Sequence, residues 1–167
     1  VTAESGGTPL QGIELCVIRR SDNHLFACIQ TDSNGDYTFG GLPHENDLLV
    51  FINNTGSQPF LKETWNNVPG NDWVNGNGVD VSSSNATAID FALTGGTLLS
   101  GTLLSSSDGP VTEGAVRARS ASGDWVGSGY TNASGDWTLV LADGNYRLYF
   151  EAWGAFDQYV DEYANDT

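Results

Sequence analysis

Apolar residues recur along this chain with a period of two. Ile13, Leu15 and Val17 alternate with Glu14, Cys16 and Ile18, which predicts a strand with one clearly apolar face. Residues 25–30 read as the next strand. Ser33-Asn34-Gly35 then turns the chain into a short strand at Tyr37-Thr38-Phe39. Gly40-Gly41-Leu42-Pro43 breaks it, and Leu48–Ile52 is a continuous apolar strand. Residues 60–65 mix apolar and charged positions. Residues 68–78, rich in Asn and Gly, read as a long loop, and residues 79–81 and 88–93 as closing strands. No window holds a capped 3.6-residue period, so almost no helix is expected.

The same unit then repeats. Thr31-Asp32-Ser33-Asn34-Gly35-Asp36-Tyr37-Thr38-Phe39 has a second version in Thr131-Asn132-Ala133-Ser134-Gly135-Asp136-Trp137-Thr138-Leu139. Val116 and Ala118 stand for Leu15 and Val17, and residues 125–131 for 25–31. Residues 146–150 match the strand around Leu49 and Phe51. Phe60, Glu63 and Asn66 find counterparts in Tyr159, Glu162 and Asn165. The second copy opens with a full strand at 97–104, where the first has only residues 1–3. The first closes with residues 79–93, for which the second has no counterpart. The pattern is that of a segment from a longer tandem array.

Those residues carry a family resemblance. Pro9-Leu10, Gly12-Ile13, Leu15 and Val17, then Thr31-Asp32, Gly35-Asp36-Tyr37-Thr38-Phe39 and Gly41-Leu42-Pro43, resemble the carboxypeptidase regulatory-like domain. This is a transthyretin-like β-sandwich, similar also to the Cna B-type repeats of bacterial surface proteins. The resemblance implies about seven antiparallel strands per domain and a non-enzymatic accessory role. The expected fold is therefore all-β: two tandem immunoglobulin-like/transthyretin-like antiparallel β-sandwich domains, residues 1–95 and 96–167, the second without its closing strand.

Composition narrows the partners. The net charge is −15, with six Lys and Arg in all, so the chain repels nucleic-acid backbones and anionic lipid heads. Five Trp, six Tyr and seven Phe oppose disorder. No apolar run is long enough to span a bilayer, and the opening residues do not read as a signal peptide, as expected of a mature form or an excised fragment. Cys16 and Cys28 stand almost symmetrically about the turn at residues 21–24. Either they form a cross-strand disulfide, which implies an oxidising compartment, or they are two buried thiols.

Candidate chemistry is sparse. The chain has no HExxH, G-x-S-x-G, Cys-x-x-Cys or phosphate loop, and His24 and His44 fall in turns. Asp32, Asn34 and Asp36 offer alternate oxygen donors for Ca2+. The twelfth position from Asp32 is Pro43 rather than a Glu, so no EF-hand is present. The same Asp and Asn can instead bond their own backbone as turn formers. Tyr37, Phe39, Trp137, Leu139 and Trp125 (the counterpart of Leu25) are expected in the core. Arg147, Tyr149, Glu151 and Trp153 share one strand face. That face could stack and hydrogen-bond a sugar. The competing reading is a face covered by a loop or neighbour, since the first copy puts Leu48, Val50 and Ile52 there. The expected function is a non-catalytic extracellular accessory module, a spacer or adhesion region contacting neighbouring domains of a longer secreted or cell-surface protein. The alternative is a carbohydrate-binding module on a secreted enzyme.

Overall fold

The computed structural model describes residues 1–70, 73–105 and 109–154, and the backbone of Glu162 and Tyr163. The chain folds as two compact units, Val1–Gly95 and Gly96–Thr167. Both are built of β-strands. No helix among the described residues is long and apolar enough to cross a membrane.

In unit 1 the strands are β1 (Thr2–Ala3), β2 (Glu14–Arg19), β3 (His24–Gln30), β4 (Leu48–Asn54), β5 (Glu63–Thr64), β6 (Val68–Pro69) and β7 (Ala92–Leu93). Five of them form an antiparallel sheet in the order β3-β2-β4-β5-β6. Leu15, Val17, Leu48, Val50 and Ile52 project from one face of it. They pack with Leu10, Ile13, Val79, Phe91 and Leu93 into the main core. Each such side chain contributes about 1.5–3 kcal/mol by leaving water. Tyr37 and Phe39 are half-buried against this core.

Three expectations fail in unit 1. Residues 37–39 form no ladder among the described residues, and β1, bridged to Pro9 through Thr2, takes the place of β9 (Leu104–Ser105) of unit 2 rather than of β8 (Thr97–Thr102). The closing strands shrink to β7 and one bridge from Val79 to Leu48. Lastly, β1 pairs with β7 in parallel, not antiparallel.

Unit 2 contains β8 (Thr97–Thr102), β9 (Leu104–Ser105), β10 (Gly109–Pro110), β11 (Gly114–Arg119), β12 (Trp125–Tyr130), β13 (Asp136–Leu141), β14 (Arg147–Ala152) and β15 (Glu162–Tyr163). The order β12-β11-β14-β15 makes one antiparallel sheet, and β13-β8 and β10-β9 make two-stranded ones. Val116 and Ala118 pack with Trp137, Leu139 and Leu141, and Leu148 and Phe150 close the cluster. β15 pairs with β14 as β5 pairs with β4, so Glu162 corresponds to Glu63; Tyr159 and Asn165 lie outside the described residues.

The repeated turn is built identically in both units. Asp32 Oδ1 accepts from the amides of Asn34 (2.8 Å) and Asp36 (3.0 Å), and Asn132 Oδ1 from those of Ser134 (2.8 Å) and Asp136 (3.0 Å). Gly35 and Gly135 sit at φ +75° and +77°, where a side chain is strained. The preceding threonine locks each turn. Thr31 Oγ1 accepts from the Ile13 amide and donates to the Leu10 carbonyl, and Thr131 Oγ1 does both with Gly114.

One buried group in unit 1 responds to pH. Glu63 is 8 % exposed and its Oε1 has no hydrogen-bond partner among the described residues. Burial, then the charge of Glu4, pushes its carboxyl up to about 7. Between the unfolded value of 4.5 and about 7 the folded state therefore holds the extra proton. The stabilisation from this group is full below about pH 4.5 and is lost as pH rises through about 7. Unfolding of wild type relative to Glu63→Gln, followed by denaturant titration, should lose on the order of 2 kcal/mol from pH 5 to pH 8. Parallel profiles would refute this.

Candidate binding face

A β-sheet has two faces, and among the described residues the core cluster of unit 2 lies on one side of β12-β11-β14. The other side carries the odd-numbered residues of β11 and β14 and the even-numbered residues of β12. In register, Arg117 lies between Ser128 and Tyr149, and Ala115 between Tyr130 and Glu151. Arg147 lies beside Arg119. Arg147, Tyr149, Glu151 and Trp153 are thus brought to one surface, joined by Tyr130, Arg117 and Trp125.

The surface is preorganised. Arg117 makes a two-pronged ion pair with Glu151, Nη2 to Oε1 at 3.0 Å and Nε to Oε2. The hydrogen bond that Arg117 donates to Glu151 raises its guanidinium above the ordinary value. Tyr130 and Trp153 meet edge to face at 6.2 Å, and are 65 % and 37 % exposed. The Trp153 amide donates to the Glu113 carbonyl at 2.9 Å, fixing the backbone after β14. Trp125 Nε1 donates to Ser128 Oγ at 3.2 Å.

Trp125 is not core, nor is its counterpart Leu25; they are 50 % and 54 % exposed. Each lies on an edge strand just past a register shift, Val17/Ile18 in unit 1 and Ala118/Arg119 in unit 2. A bulge of this kind twists the strand end away from the core. Sequence reasoning also missed Tyr130, whose signal was its even-numbered place on an edge strand.

The equivalent face of unit 1 is closed. There Cys16 and Cys28 form a disulfide with Cα atoms 4.1 Å apart, directly opposite each other in register. Cys16, Ile18, Leu49 and Phe51 are buried beneath Trp73, whose ring lies 5.5 Å from that of Phe51. The pairing of Cys16 with Phe51 and of Arg117 with Tyr149 makes Leu49, Phe51 and Asn53 the counterparts of Arg147, Tyr149 and Glu151. Leu48, Val50 and Ile52 face the core instead. Where unit 1 has a disulfide and an apolar lid, unit 2 has Arg117, Ser128 and Tyr149.

Asp32 Oδ1 is committed to two backbone amides, as above. Among the described residues the grouped metal-ligating side chains are Glu14, Cys16 and Cys28, whose two sulfurs are bonded to each other.

No protein-family model matches this chain. No curated protein matches it either. Among solved structures it is similar to "The Bacillus anthracis TIE protein", with a TM-score of 0.40 and 16 % identity over 93 % of this chain. It spans 27 % of that protein's length.

Proposed function

We propose that the chain is a non-catalytic accessory module of a larger secreted or cell-surface protein, acting as a spacer or adhesion region. The observation that carries this reading is the duplicated architecture: the same turn, threonine lock and glycine in two successive units. Repetition of structural residues extends a chain in space without adding chemistry. The disulfide agrees with an oxidising compartment. Stretching single chains tests the idea. A spacer should unfold in two separate force peaks, one per unit, and refold when relaxed; extension without force peaks would refute it.

A second reading has its own observation, the exposed Tyr130–Trp153 pair beside the Arg117–Glu151 ion pair. Aromatic faces stack on sugar rings, and a fixed guanidinium and carboxylate hydrogen-bond hydroxyls. Three of the five arginines, Arg117, Arg119 and Arg147, lie on this face of an otherwise acidic chain. An acidic glycan fits that charge best. On a glycan array, Trp153→Ala should lower binding at least tenfold while moving Tm by less than about 3 °C, as expected for a side chain outside the core. A large loss of Tm would make the ring structural and remove the site.

A further inference from the structure

The outer face of the five-stranded sheet carries a cluster that neither the spacer nor the glycan reading uses. Glu14, Cys16 and Cys28 each present one donor atom there, and the three atoms lie within 4.8 Å of one another. Glu14 and Cys16 stand two residues apart on β2, so their side chains share that face. Cys28 stands directly opposite Cys16 on the edge strand β3, with the Cα atoms 4.1 Å apart. With the two sulfurs bonded, the cluster is a staple. Reduction turns the same atoms into two thiols beside a carboxylate.

We propose that the reduced chain binds one Zn2+ through Cys16 Sγ, Cys28 Sγ and a Glu14 carboxylate oxygen, with water as the fourth ligand. A tetrahedral Zn2+ holds thiolates at about 2.3 Å and a carboxylate oxygen at about 2.0–2.2 Å, so its donors stand roughly 3.5–3.8 Å apart. Directly opposed strand positions have Cβ atoms about 4.5–5.5 Å apart, which lets the freed sulfurs part to that separation by side-chain rotation. Asn53 Nδ2 donates to Glu14 Oε1 at 2.5 Å, and so orients the carboxylate as an outer partner orients a metal ligand. Cys16 is buried, whereas Cys28 is exposed, which gives the ion a way in and the water a place. Two thiolates select a borderline-soft ion over Ca2+ or Mg2+, which prefer oxygen throughout. The net charge of −15 favours the approach of any cation.

The step balances. Two thiol molecules supply two electrons and two protons and leave as their own disulfide. The Cys16–Cys28 bond breaks and each sulfur takes a proton. Zn2+ then displaces both protons to solvent. An external disulfide runs the sequence backwards and releases the metal. Unit 1 is thus cross-linked at one point either by a covalent bond or by an ion, according to the redox state around it.

The test uses the full chain reduced with a phosphine, itself oxidised to the phosphine oxide, so that no added thiolate competes for metal. One Zn2+ should bind per chain with release of two protons, and should raise Tm. Co2+ in its place should show thiolate-to-metal charge-transfer absorption, broaden the amide NMR signals of residues 14–16 and 28, and spare those of unit 2. The disulfide-bonded chain should bind neither ion at the same concentration. Glu14→Gln should weaken Zn2+ binding at least tenfold. Absence of charge transfer in the reduced chain would overturn the site. Equal affinity in Glu14→Gln and wild type would overturn it too, since two thiols on an unfolded chain would do as much. Binding to the disulfide-bonded chain would place the ion elsewhere and overturn it as well.

Discussion

Gly35→Ala should destabilise unit 1 by about 3 kcal/mol or more, while Gly12→Ala should cost only about 1 kcal/mol. Both glycines have positive φ, +75° and +76°. They share the strain of a left-handed backbone, roughly 1–2 kcal/mol for an L-residue. They differ in what a methyl group would meet. A Cβ at Gly12 has nothing within 4 Å, but one at Gly35 would lie 2.2 Å from the Val1 carbonyl oxygen and 3.3 Å from the Leu10 amide nitrogen. Those are backbone atoms held by the Leu10 amide bond to Val1 and by the Val1 amino group donating to Gly35 itself. They cannot swing aside as a side-chain tip would. Equilibrium denaturation of the two variants isolates the clash as the difference between them. Equal losses would mean that the turn moves freely and that the close approach has no energetic weight.

Removing the disulfide comes next in size. Cys16→Ala with Cys28→Ala should lower the stability of unit 1 by about 3 kcal/mol, because the bond closes a short loop, with a sequence separation of 12. In a unit of about this length that corresponds to a Tm lower by about 15 °C. Unit 2 has Arg117 and Ser128 at the same register position, so its amides should keep their exchange rates. The single variant Cys16→Ser should cost more than the double alanine variant, since it buries an unpaired hydroxyl beside Ile18 and Phe51. Reduction that leaves both units with unchanged melting curves would overturn the assignment of the staple to unit 1 stability.

Which features could be read from the chain follows from how local their causes are. The turns at residues 31–36 and 131–136 are made by side chains bonding backbone two and four residues away, so sequence spacing reveals them. Alternation placed Ile13, Leu15 and Val17 on the core side, and they are there. The parity of β4 was not legible. All five residues from Leu48 to Ile52 are buried, since Trp73 covers the outer side while the core covers the inner. A strand apolar on both faces carries no alternation from which to choose its register. The cover itself comes from a loop more than twenty residues away that reads as polar, because it contains only one large ring. For the candidate face, Arg147, Tyr149, Glu151 and Trp153 share a side by simple period two. Arg117 joins them through its pair with Glu151, 34 residues on, and Tyr130 through its ring contact with Trp153, which no local pattern contains.

The threonine lock also governs where the chain can be cut. Residues 32–34 and 132–134 are exposed and have the small polar composition that proteases favour. Yet a protease needs a segment that can open into its cleft, and opening requires local unfolding. Each turn is tied by its Thr hydroxyl to a strand 17 or more residues upstream, and its glycine lies under a neighbouring carbonyl. Neither turn can therefore open without the strand it is tied to. Limited digestion should spare both turns and nick residues 83–88 first, where no backbone hydrogen bond among the described residues must be broken.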